Sequence, residues 1–194
     1  MHMPFDARSE DPDDLLLRRF AAGDAAAARE LTLRLTPRVF GHALRLLGDR
    51  AEAEDVAQEA LLRLWRIAPD WREGEARITT WLYRVTANLA TDRLRKRRGV
   101  ALDSVPEPED GAPSAMQAMQ DESRAQALQQ ALDGLPERQR QAVVLRHIEG
   151  LGNPEIAQIM DISAEAVESL VARGKRALAA VLTGRRAELG YRDE

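Results

Sequence analysis

NPEIAQIMDISAEAVESLVARGKRAL, residues 153–178, holds two helical stretches separated by a break at Asp161. A helix-turn-helix needs a small residue where its helices touch, a turn residue that tolerates a left-handed backbone, and apolar residues that fasten the second helix down. Ala157, Asp161, Ile162, Val167 and Leu170 fall at those spacings. Glycine is the usual turn residue, and aspartate visits the left-handed region more readily than most others. Asn153 is expected as the N-cap of the first helix, with Pro154 in its first turn. The plainer alternative is a tight helical hairpin with no role on DNA.

At 100° per residue, Val167, Leu170, Val171, Leu178, Val181 and Leu182 share one face of the second helix, which is expected to be buried. Glu165, Ser169, Ala172 and Arg176 point the other way, with Glu168 and Lys175 on one flank and Arg173 on the opposite flank. Outward residues near the N-terminal end are placed for base edges, and Arg173, Lys175 and Arg176 for phosphates. A carboxylate at the reading end accepts from the cytosine amino group and discriminates by roughly 1–3 kcal/mol. The competing explanation is that Glu165 and Glu168 complement the positive helix N-terminus, worth about 0.3–1 kcal/mol. Gly174, costing about 1 kcal/mol against alanine, lies on the buried face and implies close helix packing.

Outward from this motif, Gly and Pro cluster between long periodic segments and no alternating β-branched run stands out, so the fold reads as all-α. Asp11-Pro12 places an N-cap and first-turn proline before DDLLLRRFAA, with Gly23 at its C-terminal end. Asp24 starts a second helix, Pro37 marks the break into a third, and Gly48 ends that one. Asp49 and Glu52 have capping-box spacing ahead of AEAEDVAQEALLRLWRIA. Another helix runs from Arg77 to about Arg98. From Ala101 to Glu122 acids and prolines accumulate without Lys or Arg, the composition of a linker. Beyond it ESRAQALQQALDGL, PERQRQAVVLRHIEG and the two helices of the motif complete the chain. The expected organisation is two small helical domains, 11–100 and 122–186, joined by a flexible acidic linker, 101–121.

In the helix around residues 55–68, Val56, Ala57, Ala60, Leu61, Leu64, Ile67 and Ala68 gather on one side. Asp55, Gln58, Glu59, Leu62 and Arg66 gather on the other, and a leucine within a polar stripe suits a partner surface. The next helix directs Ile78, Leu82, Val85 and Leu89 inward and carries Arg84, Asn88, Thr91 and Arg95 on a polar stripe. Arg93, Arg95, Lys96, Arg97 and Arg98 set five positive charges against Asp92. Trp65, Trp71 and Trp81 lie in or beside the loop PDWREGEARI, where an aromatic ring next to a basic helix suits an unstacked base at about 1–3 kcal/mol. Trp65 and Trp81 read as core residues, and Trp71 has the better claim on a ligand.

Cysteine is absent, which excludes disulfides, thiolate zinc sites and a cysteine nucleophile, and a reducing cytoplasm is expected. No run approaches 18 apolar residues and no export signal is visible, so no membrane insertion is expected. A formal charge of -4 argues against a surface that grips nucleic acid everywhere. His2, His42 and His147 are dispersed and form no catalytic or metal-ligand spacing, so neither enzyme activity, cofactor nor metal is expected.

Taken in order, EAEDVAQEALLRLWR, ITTWLYRVTANLATDRLRKRR, an acidic linker, and LPERQRQAVVLRHIEGL ahead of the helix-turn-helix resemble a bacterial RNA polymerase sigma factor of the extracytoplasmic-function group. The resemblance covers about Asp13 to Leu182. It implies a dissociable subunit that gives core polymerase its promoter choice. Asp55, Gln58, Glu59, Leu62 and Arg66 would bind the clamp helices of the largest core subunit, and the C-terminal domain the flap of the second-largest. Trp71, Arg84, Asn88, Asp92, Arg95 and Lys96 would meet the opened minus-ten element. Ser163, Glu165, Glu168, Ser169, Ala172, Arg173, Lys175 and Arg176 would meet the minus-thirty-five element in the major groove. The linker would thread toward the RNA exit path, and an anti-sigma factor would hold the protein inactive. Glu168 and Gly174 depart from the family's habit of a basic and a less flexible residue there. The rival from another class is a dimeric operator-binding regulator with an N-terminal sensor, which needs neither the basic helix nor the tryptophan loop.

Overall fold

The computed structural model describes residues 12–71, 77–100 and 116–183, and all regular structure among them is helical. In order these are α1 (Pro12–Ala21), α2 (Ala25–Leu47), α3 (Arg50–Ile67), α4 (Ile78–Val100), α5 (Met116–Asp133), α6 (Glu137–Val143), α7 (Asn153–Met160) and α8 (Ala164–Thr183). The Asp11 cap, most of the acidic linker and the loop after Trp71 lie outside the described residues.

The caps explain several boundaries. Asp24 adopts extended backbone and its carboxylate accepts from the amides of Ala26 and Ala27, satisfying two donors that the first turn of α2 leaves open. Arg19 donates to the same carboxylate at 2.7 Å and, with the backbone bonds, holds its pKa below the ordinary value. At the other end Gly48 takes φ 69 and returns its N–H to the Leu44 carbonyl. Asp49 then accepts from the Glu52 amide at 2.9 Å. The Glu52 carboxylate reaches Arg97 on α4 instead of closing the box.

Pro37 does not break the chain into two helices, contrary to the sequence expectation. α2 runs through it for 23 residues. An internal proline costs about 3 kcal/mol. Against that, Leu31, Leu35, Val39, Ala43 and Leu46 form one unbroken buried stripe across the proline, and a helix ending at residue 36 would lose its register. Three further boundaries differ. α5 begins at Met116, inside the stretch read as linker. α7 is capped by Gly152, whose amide donates to Glu155 Oε2 at 3.1 Å, so Asn153 is already helical. The helix after Pro136 changes to a π turn over Val144–Ile148.

α1–α4 enclose one apolar core, with Leu17, Leu31, Leu35, Leu64, Ile78 and Leu82 almost fully buried. α5–α8 enclose a second, around Leu132, Leu145, Ile156 and Val167. The two are not held by a tether alone. α4 packs against α7, and α2 packs against α5 and α6. Tyr83 of α4 is buried among the side chains of the second core.

Candidate nucleic-acid and partner interfaces

The helix-turn-helix forms as its spacing requires. Asp161 adopts φ 53, ψ 54, the left-handed conformation of the turn, and the amides of Asp161 and Ile162 both return to the Ala157 carbonyl. Ala157, Ile162, Leu170 and Val171 pack around Val167, which is fully buried. Ser163 caps α8 by accepting from the Ala166 amide at 3.2 Å. Gly174 faces α6 so closely that a Cβ there would stand 2.5 Å from Val143 Cγ2. Of the six apolar residues expected to be buried on this face Val167 alone is fully so: Leu170, Val171, Leu178 and Leu182 are half-buried, and Val181 is 48% exposed.

The face opposite is open. Ser163, Glu165, Glu168, Ser169, Ala172, Arg173, Lys175 and Arg176 are all exposed. Arg173 and Arg176 donate back to the carbonyls of Ser169 and Ala172, which lays both guanidinium groups along the helix surface. The Glu165 carboxylate is held below its ordinary pKa by its own backbone N–H and by the Ser163 hydroxyl. Such contacts accord with the N-terminal role weighed against base reading. Behind the helix, burial and the nearby Lys175 and Arg146 push the His147 imidazole below its usual pKa, marking a locally positive surface.

On α4 the basic cluster is smaller than its sequence implies. Arg97 donates to Glu52 at 2.9 Å and to the Leu47 carbonyl, and pairs with Asp49 at 3.0 Å, so it ties the α2–α3 corner to α4. Arg93 pairs with Asp55, Arg98 with Glu137, and Arg95 with Asp92. Among the described residues Lys96 has no carboxylate partner within 4 Å, and like Arg84, Asn88, Asp92 and Arg95 it is exposed. Charge counting along one helix could not reveal pairs supplied by α3 and α6.

Trp65 stacks obliquely on Phe20 with ring centroids 4.8 Å apart, as expected of a core residue. Trp71 is half-buried and meets Trp81 edge-on at 6.1 Å. Its Nε1 is enclosed without a hydrogen-bond partner among the described residues. On α3, Asp55, Gln58, Leu62 and Arg66 are exposed and Glu59 is partly so, with Leu62 at 41%. Arg63 donates to Glu59 at 2.8 Å and holds its pKa down. The stripe therefore combines acid, amide and an exposed leucine on one face of a rigid helix.

Sequence reasoning missed the seam between the two cores. Tyr83 donates to Glu149 at 2.6 Å, and His42, with no exposed surface, places Nδ1 3.7 Å from the other Glu149 oxygen. Arg140, 8% exposed, donates to the Leu46 carbonyl at 2.6 Å and to the Asp133 carbonyl at 3.1 Å. An isolated histidine and a tyrosine on the flank of an amphipathic helix give no local sign of partners more than 60 positions away. No group of residues capable of holding a metal occurs among the described residues, and no helix there is long and apolar enough to cross a membrane.

An all-helical chain with an exposed helix-turn-helix surface and a second, basic helical unit defines a DNA-binding protein of two modules. The chain matches the model for Sigma-70 region 2 over residues 31–100 and that for Sigma-70 region 4 over 125–178. It is 36% identical over 165 residues to the ECF RNA polymerase sigma factor SigE of Mycolicibacterium smegmatis, spanning 81% of this chain and 63% of that one. It is 31% identical over 181 residues to the RNA polymerase sigma-H factor of Pseudomonas aeruginosa, spanning 88% of this chain and 93% of that protein. The chain belongs to the sigma-70 family, in its ECF RNA polymerase sigma factor branch. The fold is also that of the sigma factor RpoE solved in complex with the anti-sigma factor NepR from Bartonella quintana, with a TM-score of 0.64 at 23% identity, covering 80% of this chain and 96% of that one.

Proposed function

We propose that this protein binds RNA polymerase core and directs initiation at particular promoters, residues 11–100 engaging core and the minus-ten element and residues 122–186 the minus-thirty-five element. Residues 101–121 join the two. The observation that carries this reading is the order of the two modules together with the open side-chain faces of α3, α4 and α8, each available for a different surface. On α3, Asp55, Gln58, Glu59, Leu62 and Arg66 dock on the clamp helices of the largest subunit, with Leu62 as the apolar anchor. The flap of the second-largest subunit takes the C-terminal domain. Arg84, Asn88, Asp92, Arg95 and Lys96 line the opened minus-ten strand, and Trp71 receives a base only after turning from Trp81. Ser163, Glu165, Glu168, Ser169, Ala172, Arg173, Lys175 and Arg176 face the major groove, where Glu168 is free to accept from a cytosine amino group. Anti-sigma control follows from kinship with RpoE, whose complex with NepR is known. The protein then works in the cytoplasm, where polymerase and DNA are, and needs no cofactor.

The test is run-off transcription with purified core polymerase. Initiation that depends on adding this protein supports the reading. A folded protein that leaves core inactive on every template, yet binds duplex DNA as a dimer with symmetric half-sites, would establish the operator-binding alternative.

A further inference from the structure

α8 crosses α6 at one close point. A Cβ on Gly174 would stand 2.5 Å from Val143 Cγ2 and 3.3 Å from the Gln139 carbonyl, so the backbone of α8 lies directly on α6 there. Lys175 is the next residue of α8, and His147 stands four residues beyond Val143, roughly one turn further along. The crossing therefore sets the imidazole beside the Lys175 ammonium, and the two interact electrostatically. Between Val143 and His147 the chain enters its π turn, in which Glu149 returns its N–H to the Val144 carbonyl. Val144 and Leu145 stay in the core while Arg146 and His147 are exposed. Turns of this kind recur at functional sites.

The charges acting on the imidazole are both positive, Lys175 from α8 and Arg146 from its own turn. The carboxylates of the neighbouring elements are engaged elsewhere. Glu149 is turned to Tyr83 and His42, Glu155 of α7 to the Gly152 amide and Arg77, and Glu137 of α6 to Arg98. Arg146 donates to the Leu151 carbonyl at 2.9 Å, which holds it across the loop leading into α7. The corner so formed has positive charge and an exposed imidazole, and its chemistry suits an anion.

A helix seated in a major groove about 12 Å wide has a phosphate wall on each flank. On α8 Arg173 lies on one flank, and Glu168 and Lys175 lie on the other, seven residues or about 10.5 Å apart. His147 stands behind α8 on the Lys175 side, where that second wall passes. We propose that His147 is a further phosphate contact of the upstream duplex, completing with Lys175 the wall opposite Arg173, and that it takes up a proton as DNA binds. The inference rests on the promoter-binding reading above and adds to it a residue outside the recognition helix.

The proton follows from the charges. In the free protein burial, Lys175 and Arg146 all disfavour the charged ring and hold its pKa below the ordinary 6.5. A phosphate against the ring favours the charged form and raises the pKa in the complex. The added affinity is fully present below the free value and is lost as pH rises through the higher bound value.

The chain has three histidines, so the ring resonances of His147 are assigned by their loss in His147→Gln. The first measurement titrates the full chain by NMR with and without a duplex of arbitrary sequence at low salt, where phosphates supply the binding. The midpoint of the His147 ring is expected to rise by about one pH unit on adding duplex. A midpoint unmoved by saturating duplex overturns the contact, whatever the protein does with polymerase. The second measurement uses the protein with core polymerase and promoter DNA. Affinity is expected to fall at least about threefold from about pH 6 to about pH 8, and His147→Gln to abolish that fall. The same substitution is expected to lower the salt slope of binding by about 0.9 at the acid pH and to leave it unchanged at the alkaline one. His147→Lys is expected to restore the full slope at both. Equal weakening of the glutamine variant at both pH values marks a structural role and also overturns the proposal. If the complex with core binds no promoter, the promoter reading fails and the ring titration alone decides the contact.

Discussion

Tyr83 of α4 donates its hydroxyl to Glu149 at 2.6 Å, joining residues 66 positions apart and two separate cores. Burial pushes the Tyr83 hydroxyl well above its ordinary pKa, and the Glu149 carboxylate beside it adds to the shift. Burial also acts to raise Glu149, but the adjoining His42 and Tyr83, with Arg45 further off, outweigh it and leave the carboxyl below its ordinary 4.5. Arg38 is the other charge near Tyr83.

The signs of these shifts give a pH window for docking. A depressed carboxyl stabilises the docked form above its undocked pKa, and this is lost as pH falls through the lower docked value. A raised tyrosine stabilises it below pH 10.0, and this is lost as pH rises through the higher docked value. Energy transfer between dyes on cysteines introduced at the exposed Glu54 of α3 and Ala179 of α8 is expected to plateau between about pH 5 and 9 and to fall on both sides of that range. A fall centred near neutrality would point to another group.

Leu62→Asp is expected to abolish association with core polymerase. The side chain is 41% exposed and belongs to neither core, so the change in stability should stay within about 0.5 kcal/mol. A pull-down against core, paired with a thermal melt, checks both halves. Unaltered binding removes Leu62 from the docking surface.

Arg97 and Lys96 are neighbours with different tasks. Arg97→Ala is expected to cost about 1 kcal/mol of stability through its ties to Glu52, Asp49 and the Leu47 carbonyl. Lys96→Ala should leave stability unchanged and reduce the salt dependence of single-stranded DNA binding by about 0.7 in log-log slope, the share of one phosphate contact. Equal effects on both measurements would contradict this division.

Gly174→Ala sets a methyl group 2.5 Å from Val143 Cγ2 and 3.3 Å from the Gln139 carbonyl. The gain in helix propensity is about 1 kcal/mol and the expected overpacking penalty about 1–3 kcal/mol. A lower Tm is predicted, and a higher one would mean that α6 and α8 separate without strain.

Local signals carried most of this architecture. Asp24, Gly48, Asp49 and Asp161 mark element ends by chemistry that operates within four residues, and each does so in the fold. Pro37 misled because its local cost is overridden by a buried stripe extending on both sides of it. The face assignments on α3 and α8 followed from a single burial direction. α4 is buried in two directions, toward its own module and toward α7, so a single-face reading assigned Ile78 and Leu82 to the core but overlooked Tyr83 and Thr86. The pairing of Arg97 with Glu52 and of Glu149 with Tyr83 depends on tertiary proximity, which periodicity does not encode.

Transcription by core polymerase on a promoter library, with the unmodified protein and with Glu168→Lys, tests whether the two modules read separate elements. Initiation is predicted to require the protein, with selected templates sharing an upstream and a downstream element, and the substitution is predicted to change the upstream preference alone. No stimulation by folded protein, or a change confined to the downstream element, would contradict it.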